Sequence, residues 1–242
     1  MSSGTFAAQY DAVISEPRMR RLYGDTGYFN VGLWTDGVDS LGAACDQMVD
    51  ELAAAVPSSA RAIVDAGCGL GPGTRRLMNR FPAALVTGVN LSLWQLTQVR
   101  ERGVRATVAT DAARMGFRDG SVDAVISVEA AQHFDTRADF LLEAARMLRP
   151  GGVLSIADML FRDRAPIGPW MLPKENAVAT PEAYAALLEK AGFVDVVVRD
   201  VTRVSWTPFC AVMRREFAGA EAQMRAIEES LDYYVLASAR RP

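Results

Sequence analysis

The sequence predicts an α/β protein built on a doubly wound, mostly parallel sheet of seven strands. From residue 62 to about residue 202, short apolar runs rich in β-branched residues alternate with amphipathic stretches. This alternation is typical of repeated βα units, in which helices cover both faces of a sheet. A further apolar run at 231–239 adds the last strand, and aromatic stretches outside the alternation predict a helical lid.

Six strands are predicted before the last one, each bounded by a turn or a helix signal. They lie at 62–66, 84–89, 104–109, 122–128, 152–158 and 194–201. The last run could join the sheet at an edge or beside the sixth strand. Two helices are marked at both ends, since threonine caps a first turn and glycine ends a last one. One follows Thr136 and stops at Arg149-Pro-Gly-Gly, and the other follows Thr180 and stops at Gly192.

One domain with a covering lid is expected. A chain of 242 residues, half of them hydrophobic, can close one sizeable core and leaves little for a second. We predict an N-terminal helical cap at 1–60 and a core at 61–242, with lid insertions at about 160–180 and 204–228. Both additions carry aromatic residues and are expected to roof a pocket.

Composition excludes several classes of partner. Lysines and arginines number 26 against 29 acids, for a net charge of -3, and neither sign forms a long run, so a nucleic-acid partner is not expected. No secretory signal and no apolar stretch of about 18 residues is seen, which predicts a cytoplasmic protein without a membrane partner. Three scattered cysteines and one histidine favour neither disulfides nor a metal site, and a monomer or homodimer is expected.

A glycine-rich turn follows the first strand, in Asp65-Ala-Gly-Cys-Gly-Leu-Gly-Pro-Gly-Thr74. Alternate glycines let the backbone turn sharply and approach a ligand at the start of the next helix. A dinucleotide fingerprint needs a third small residue where Pro72 or Thr74 stands, and a phosphate-binding loop needs a Lys-Ser or Lys-Thr that is absent. A nucleotide-like ligand of a third kind, S-adenosylmethionine, is favoured over a dinucleotide or a plain tight turn.

The segment Val64-Asp-Ala-Gly-Cys-Gly-Leu-Gly-Pro-Gly-Thr74 resembles motif I of the class I S-adenosylmethionine-dependent methyltransferases. The resemblance covers most of the chain. It implies a Rossmann-like sheet of seven strands with one antiparallel strand, S-adenosyl-L-methionine as methyl donor and S-adenosyl-L-homocysteine as product.

Further segments resemble that family in order. Gly88-Val-Asn-Leu-Ser92 stands where the family usually has an acid for the ribose hydroxyls, and Asn90 can still donate or accept there. Thr110-Asp-Ala112 resembles the adenine-binding segment, and the stretch 118–129 resembles the fourth strand. The resemblance implies the following cofactor-binding residues: Trp34, Asp65, Gly67, Gly69, Gly71, Asn90, Leu91, Gln95, Asp111, Ala112 and Glu129.

A catalytic pair is predicted beyond the fourth and fifth strands. His133, the single histidine, follows the fourth strand, where open α/β sheets bind ligands. Asp158 ends the fifth strand and could orient the imidazole. We expect His133 to act as general base with Asp158 as its partner, as in the bacterial natural-product and sugar O-methyltransferases that this pattern resembles. A structural role is the ordinary alternative for a lone histidine.

The acceptor is expected to be a small molecule. Tyr28-Phe-Asn-Val-Gly-Leu-Trp34 resembles the family segment that folds over the methionine end of the cofactor. The residues predicted to bind substrate are Tyr23, Tyr28, Phe29, Trp170 and Trp206, although lid aromatics equally often pack together. O-methylation of a natural-product hydroxyl in secondary metabolism is favoured. C- or N-methylation of an indole, terpenoid or alkaloid, or cyclisation without methyl transfer, stays open.

Overall fold

The structure is a computed structural model that describes residues 3–168 and 171–242. Three helices precede the sheet: α1 (Ser3–Ser15), α2 (Pro17–Tyr23) and α3 (Leu41–Ala53). The Glu16 carboxylate accepts two backbone N–H groups at the start of α2, and the Ser40 hydroxyl accepts one at the start of α3. These caps satisfy N–H groups that have no partner within the helix.

Seven strands form one sheet. They are β1 (Ala62–Ala66), β2 (Leu85–Asn90), β3 (Thr107–Ala109), β4 (Val122–Val128), β5 (Leu148–Phe161), β6 (Val194–Asp200) and β7 (Leu231–Arg240). Their order is β3-β2-β1-β4-β5-β7-β6. The last strand, β7, runs antiparallel between β5 and β6, and the other neighbours are parallel. The predicted doubly wound sheet with one antiparallel strand is confirmed.

Two strands differ from the prediction by more than one residue at an end. Strand β3 begins at Thr107 rather than at 104, because Val104 instead packs with Leu96 and Val99 of the preceding helix. Strand β5 extends from Leu148 to Phe161, beyond the predicted 152–158, because Leu148 pairs with Val122 of β4 at one end and β7 pairs out to Phe161 at the other. Both differences come from tertiary contacts that a local pattern does not contain.

Six further helices connect the strands or cover the sheet: α4 (Pro72–Arg80), α5 (Leu93–Glu101), α6 (Arg137–Met147), α7 (Pro181–Lys190), α8 (Trp206–Glu216) and α9 (Glu221–Ser230). The hydroxyls of Thr136 and Thr180 cap α6 and α7, as predicted. None of the described helices combines the length and the apolar character needed to cross a bilayer.

The central strands β1 and β4 are buried on both faces of the sheet, whereas the edge strand β6 is largely exposed. Adjacent residues of one strand enter opposite apolar clusters: Ile63 packs on the face covered by α3, and Val64 packs on the face covered by α6 and α7. This two-sided burial explains why the parallel strands read as continuous apolar runs. Because β1, β2, β4 and β5 run parallel, their carboxyl ends meet at one edge of the sheet. Residues of α1, α8 and α9 line a cavity at this edge.

Candidate active site

The turn after β1 is shaped for close approach. Gly67 and Gly71 have φ angles of 79° and 88°, in the left-handed region that favours glycine. A Cβ on Gly67 would overlap the Cβ of Ala130, whereas a Cβ on Gly69 would meet no atom within 4 Å. A Cβ on Gly71 would lie 3.0 Å from Val99. The turn therefore presents bare backbone at Gly69, while Gly71 permits packing of α4 on α5.

A cavity of about 110 Å³, here called the turn cavity, lies against this turn. The turn forms its floor, and Phe6 and Tyr10 of α1 line it from the other side. The Asp65 carboxylate is buried here and accepts a 2.6 Å hydrogen bond from the Thr74 hydroxyl. Burial raises the pKa of Asp65 to about 6, against the opposing effect of the Thr74 bond.

Two larger cavities adjoin the turn cavity. The strand-end cavity, of about 370 Å³, is lined by Asn90, Leu91, Asp111 and Ala112 beyond the ends of β2 and β3. The lid cavity, of about 540 Å³, lies beneath the lid helices. Its aromatic lining residues are Tyr10, Tyr23, Phe29, Phe161, Trp206, Phe209 and Phe217.

Four residues line both the turn cavity and the lid cavity, namely Tyr10, Phe29, Glu129 and His133. His133 also lines the strand-end cavity. A group passed from a ligand beside the glycine turn to a ligand beneath the lid must cross this junction. The four side chains therefore surround the place where a reaction between the two ligands would occur.

Glu129 is held rigidly at the junction. Its φ of 50° is positive, which is strained for a residue with a Cβ. Its Oε1 atom accepts hydrogen bonds from the Val31 N–H at 2.7 Å and the Tyr234 hydroxyl at 2.6 Å. Burial raises the pKa of Glu129 to about 8, although both hydrogen bonds oppose the rise. Among the described residues, Oε2 has no hydrogen-bond partner.

His133 ends a short 3-10 helix, Ala131–His133, directly after β4. Its Nδ1 atom lies 2.7 Å from the carbonyl oxygen of Met171. A carbonyl only accepts, so Nδ1 carries the proton. Burial lowers the pKa of His133 below its ordinary value of 6.5, so the ring is neutral at pH 7. The lone pair is therefore on Nε2, which accepts a long hydrogen bond of 3.3 Å from the Gln132 amide.

The predicted hydrogen bond between Asp158 and His133 is not formed. Asp158 is fully buried, and its Oδ2 accepts from the Arg137 guanidinium and the Tyr184 hydroxyl, both at 2.8 Å. A buried carboxylate takes the nearest cation, because an unpaired charge in a core is costly. The predicted dyad is wrong in this respect: the ring proton of His133 goes to the Met171 carbonyl.

Helix α1 is tied to the end of β2 through side chains. Asp11 accepts from the Gln95 amide at 2.6 Å and from the Ser92 hydroxyl at 2.7 Å. Gln95 in turn accepts from the Asn90 amide at 2.9 Å, and the Asn90 oxygen accepts the Ser92 N–H at 2.9 Å. This chain of bonds holds α1 over the turn cavity.

Comparison with known proteins places the chain in a family. Residues 64–156 match the model of a methyltransferase domain. Over 72% of the chain, 34% of residues are identical to the erythromycin 3''-O-methyltransferase of Saccharopolyspora erythraea, of which 64% is covered. Over 87% of the chain, 30% are identical to the 27-O-demethylrifamycin SV methyltransferase of Amycolatopsis mediterranei, of which 89% is covered. The chain belongs to the S-adenosylmethionine-dependent methyltransferases.

The fold of this methyltransferase is shared with a solved structure. Geranyl diphosphate C-methyltransferase from Streptomyces coelicolor A3(2), in complex with Mg2+, geranyl diphosphate and S-adenosyl-L-homocysteine, matches with a TM-score of 0.78. The match covers 99% of this chain and 97% of that one at 19% identity. The present chain spans 64% of the length of the erythromycin 3''-O-methyltransferase, slightly less than two thirds. The resemblance drawn from the glycine turn is confirmed, and S-adenosylmethionine is the methyl donor of the family.

The methyltransferase brings most of the predicted residues to the three cavities. Asp65, Gly67, Gly69, Asn90, Gln95 and Glu129 line the turn cavity, and Leu91, Asp111 and Ala112 line the strand-end cavity. Tyr23, Phe29 and Trp206 line the lid cavity. Trp170 lies outside the described residues.

Three predicted positions differ in the methyltransferase. Trp34 lines none of the three cavities, because its indole N–H donates to the Val31 carbonyl and its ring packs on the core. Tyr28, predicted to bind substrate, lines the turn cavity and donates its hydroxyl proton to Asp46. Gly71 contacts α5 rather than the cavity.

Helix α1 was missed as part of the site. Phe6, Tyr10 and Ile14 recur every four residues, which places them on one face of a helix, and all three line the turn cavity. This spacing is a signal that the sequence contains. Arg137 and Asn176, which hold the loop around His133, carry no local signal because their partners are distant in sequence.

We expect Gly67→Ala to lower the free energy of unfolding by about 1–3 kcal/mol, since the added Cβ overlaps Ala130. It should also weaken S-adenosylmethionine binding, measured by calorimetry, because the turn must move. Gly219→Ala is the matched control: its φ of 94° carries the same left-handed penalty, but its Cβ would meet no atom within 4 Å. Equal effects of the two changes on donor affinity would contradict the overlap.

We expect Glu129→Gln to make stability less sensitive to alkaline pH. The pKa of Glu129 rises from 4.5 to about 8 on folding. Between these two pH values the carboxyl group is therefore protonated in the folded state and ionised in the unfolded state. The free energy of unfolding therefore falls as pH rises through this window, by up to about 1.4 kcal/mol per pH unit.

Glutamine can keep the hydrogen bonds of Oε1 but cannot ionise, so the variant should gain stability relative to the wild type as pH rises. Urea unfolding of both proteins at about pH 5 and pH 8 measures the difference. Asp65, whose pKa is raised to about 6, acts equally in both proteins and cancels in the comparison. If the free energies of unfolding of the two proteins changed equally between these pH values, Glu129 would not be protonated in the folded state.

Proposed function

We propose that the chain methylates a hydroxyl group of a small natural product in secondary metabolism, with His133 as general base. The observation that carries this proposal is the state of His133. Its Nδ1–H is bound to the Met171 carbonyl, its ring is neutral, and its Nε2 lies where the turn and lid cavities meet, with only a long 3.3 Å hydrogen bond from the Gln132 amide for an acceptor hydroxyl to replace.

S-adenosylmethionine, when bound, supplies an electrophilic methyl group on a sulfonium. The residues present fit such a ligand, since the turn offers open backbone at Gly69 and the buried Asp65 carboxylate lies at its floor. His133 Nε2 is placed to accept the proton of an acceptor hydroxyl, which would make that oxygen the nucleophile. Tyr10 and Phe29 exclude water from the junction, and the Met171 carbonyl stabilises the imidazolium that forms.

The donor is held from both sides of the turn. We assign its amino acid end to Asp65 and Tyr28, its ribose to Asn90 and Gln95, and its adenine to Asp111 with Leu91 and Ala112. Asn90 keeps a role although its amide is bound to Gln95, because an amide oxygen has two lone pairs and only one is used by Ser92.

The lid cavity supports an acceptor with a sizeable apolar surface. Aromatic rings lie side by side along its wall. The ring centroids of Tyr23 and Phe29 are 5.2 Å apart, and those of Trp206 and Phe209 are 6.1 Å apart. The relatives named for erythromycin and for 27-O-demethylrifamycin SV support an oxygen atom on a natural product as the acceptor. A cytoplasmic location and a monomeric or homodimeric state stay predictions.

The test is incubation of the protein with methyl-labelled S-adenosylmethionine and a panel of O-demethylated macrolides, ansamycins and their glycosides. We expect S-adenosylhomocysteine in equal amount to a labelled product whose methyl lies on oxygen by NMR. His133→Asn is the control, since its amide can still donate to the Met171 carbonyl but cannot serve as base. A methyl on carbon or nitrogen, or cyclisation without S-adenosylhomocysteine, would replace the proposal by the corresponding alternative.

A further inference from the structure

We propose that Asn176 is a positioning residue that fixes the loop carrying His133 and the Nδ1–H tautomer of its ring. The lid segment 171–177 and the loop that carries His133 are then held in one fixed arrangement. This inference rests on the proposed function for its meaning, but the arrangement itself can be tested without an acceptor.

Asn176 uses its whole amide on the loop after β4. The side chain is buried, at 6% exposed, and its Nδ2 donates to the carbonyls of Gln132 at 3.0 Å and Phe134 at 2.7 Å. Its Oδ1 accepts the N–H of Arg137 at 2.6 Å. The two carbonyls flank His133 in sequence, so Asn176 holds the backbone on both sides of the base.

The same lid segment also sets the ring. Its first residue, Met171, accepts the Nδ1 proton of His133 through its carbonyl at 2.7 Å, and Asn176 anchors the segment five residues later. The Met171 carbonyl makes the shorter of two contacts that favour this tautomer, since the Gln132 amide nitrogen lies 3.3 Å from Nε2. Without that carbonyl, a neutral imidazole is freer to carry its proton on Nε2, and the nitrogen that faces the junction would then no longer be basic.

The anchor is attached to the core rather than to the surface. The Arg137 guanidinium donates to the Asn176 carbonyl and to Asp158, and Tyr184 donates to the same carboxylate. Arg137 is 2% exposed and Asp158 is 0% exposed. Asp158 thus acts on His133 indirectly, through Arg137 and Asn176.

This arrangement couples the base to the wall of the lid cavity. Met171 and Ile167, from the same stretch of the lid, line that cavity. An acceptor that packs on Met171 therefore touches the residue whose carbonyl orients the base. Replacing Asn176 should make the position and ring orientation of His133 less well defined, while leaving the glycine turn and the binding of its ligand unchanged.

The single histidine makes a direct test possible, because the imidazole 15N signals of the protein report on His133 alone. We expect the wild type without ligands to show the neutral Nδ1–H tautomer. Asn176→Ala should add the Nε2–H tautomer and, once an acceptor is known, lower kcat by about 10–100-fold with little change in KM. Asn79→Ala, on the exposed face of α4, is the matched control and should change neither readout.

An Nε2–H tautomer in the wild type would overturn the proposal, and so would an unchanged tautomer in a folded Asn176→Ala protein. Asn176→Asp is the second variant: it keeps an acceptor for the Arg137 N–H but loses both donors, and should shift the tautomer likewise. If the alanine variant does not fold, the wild-type spectrum and the aspartate variant decide. Absence of turnover on every acceptor would contradict the proposed function and leave this readout intact.

Discussion

Asp158→Ala is expected to lower the free energy of unfolding by about 3–5 kcal/mol. The change leaves the Arg137 guanidinium buried without its carboxylate, and it removes the acceptor of the Tyr184 hydroxyl. Breaking one partner of a buried pair costs more than the pair contributes, because the remaining charge cannot reach water. Urea unfolding followed by circular dichroism measures the loss.

Asp119→Ala is the matched control. Asp119 also pairs with an arginine, Arg146, but its side chain is 80% exposed. Exposed pairs contribute at most about 1 kcal/mol, so this variant should unfold close to the wild type. If Asp158→Ala kept wild-type stability and lost only turnover, Asp158 would be a direct partner of the base, and the indirect role assigned to it would be wrong.

His133→Ala is expected to lower kcat by about 10²–10⁴-fold, the usual contribution of a general base. The affinity for S-adenosylmethionine should change little, because the glycine turn and the strand-end cavity are formed by other residues. Steady-state kinetics give kcat, and calorimetry gives the donor affinity. A variant with full turnover and bound donor would exclude His133 as the base.

The pH profile gives an independent check on the same residue. Burial lowers the pKa of His133 below 6.5, so the wild type should lose activity only as the pH falls below that value and the ring is protonated. Arg137, Asp158 and Glu129 are the charged or titratable groups nearby, and Glu129, with a pKa of about 8, titrates on the alkaline side. His133→Ala should remove the acid limb and leave any alkaline limb in place.

Most of the fold could be predicted because its signals are local. Parallel strands buried on both faces read as apolar runs, and β1 and β4 lie at the predicted residues, 62–66 and 122–128. The glycine turn was also predictable, since Gly67, Gly69 and Gly71 have the positive φ angles that favour glycine. The ends of β3 and β5 were not, because packing and strand pairing decide them.

The site was predictable as a location and less so as a set of partners. The strand ends that carry Asp65, Asn90, Asp111 and His133 meet at one edge, as the topology of an open α/β sheet requires. The partners of each side chain were harder to predict: Asp158 lies in β5 and His133 follows the neighbouring strand β4, yet Arg137 binds the Asp158 carboxylate.

The sequence by itself determined the family, the donor class and the edge of the sheet where chemistry takes place, because motif spacing and strand order are properties of the chain. Only the tertiary structure decided which nitrogen of His133 is basic. That choice depends on the Met171 carbonyl and the Gln132 amide, and the Met171 carbonyl meets the ring only when the lid packs on the core. A buried hydrogen bond is determined by which donor and acceptor are brought together without water, and folding brings them together.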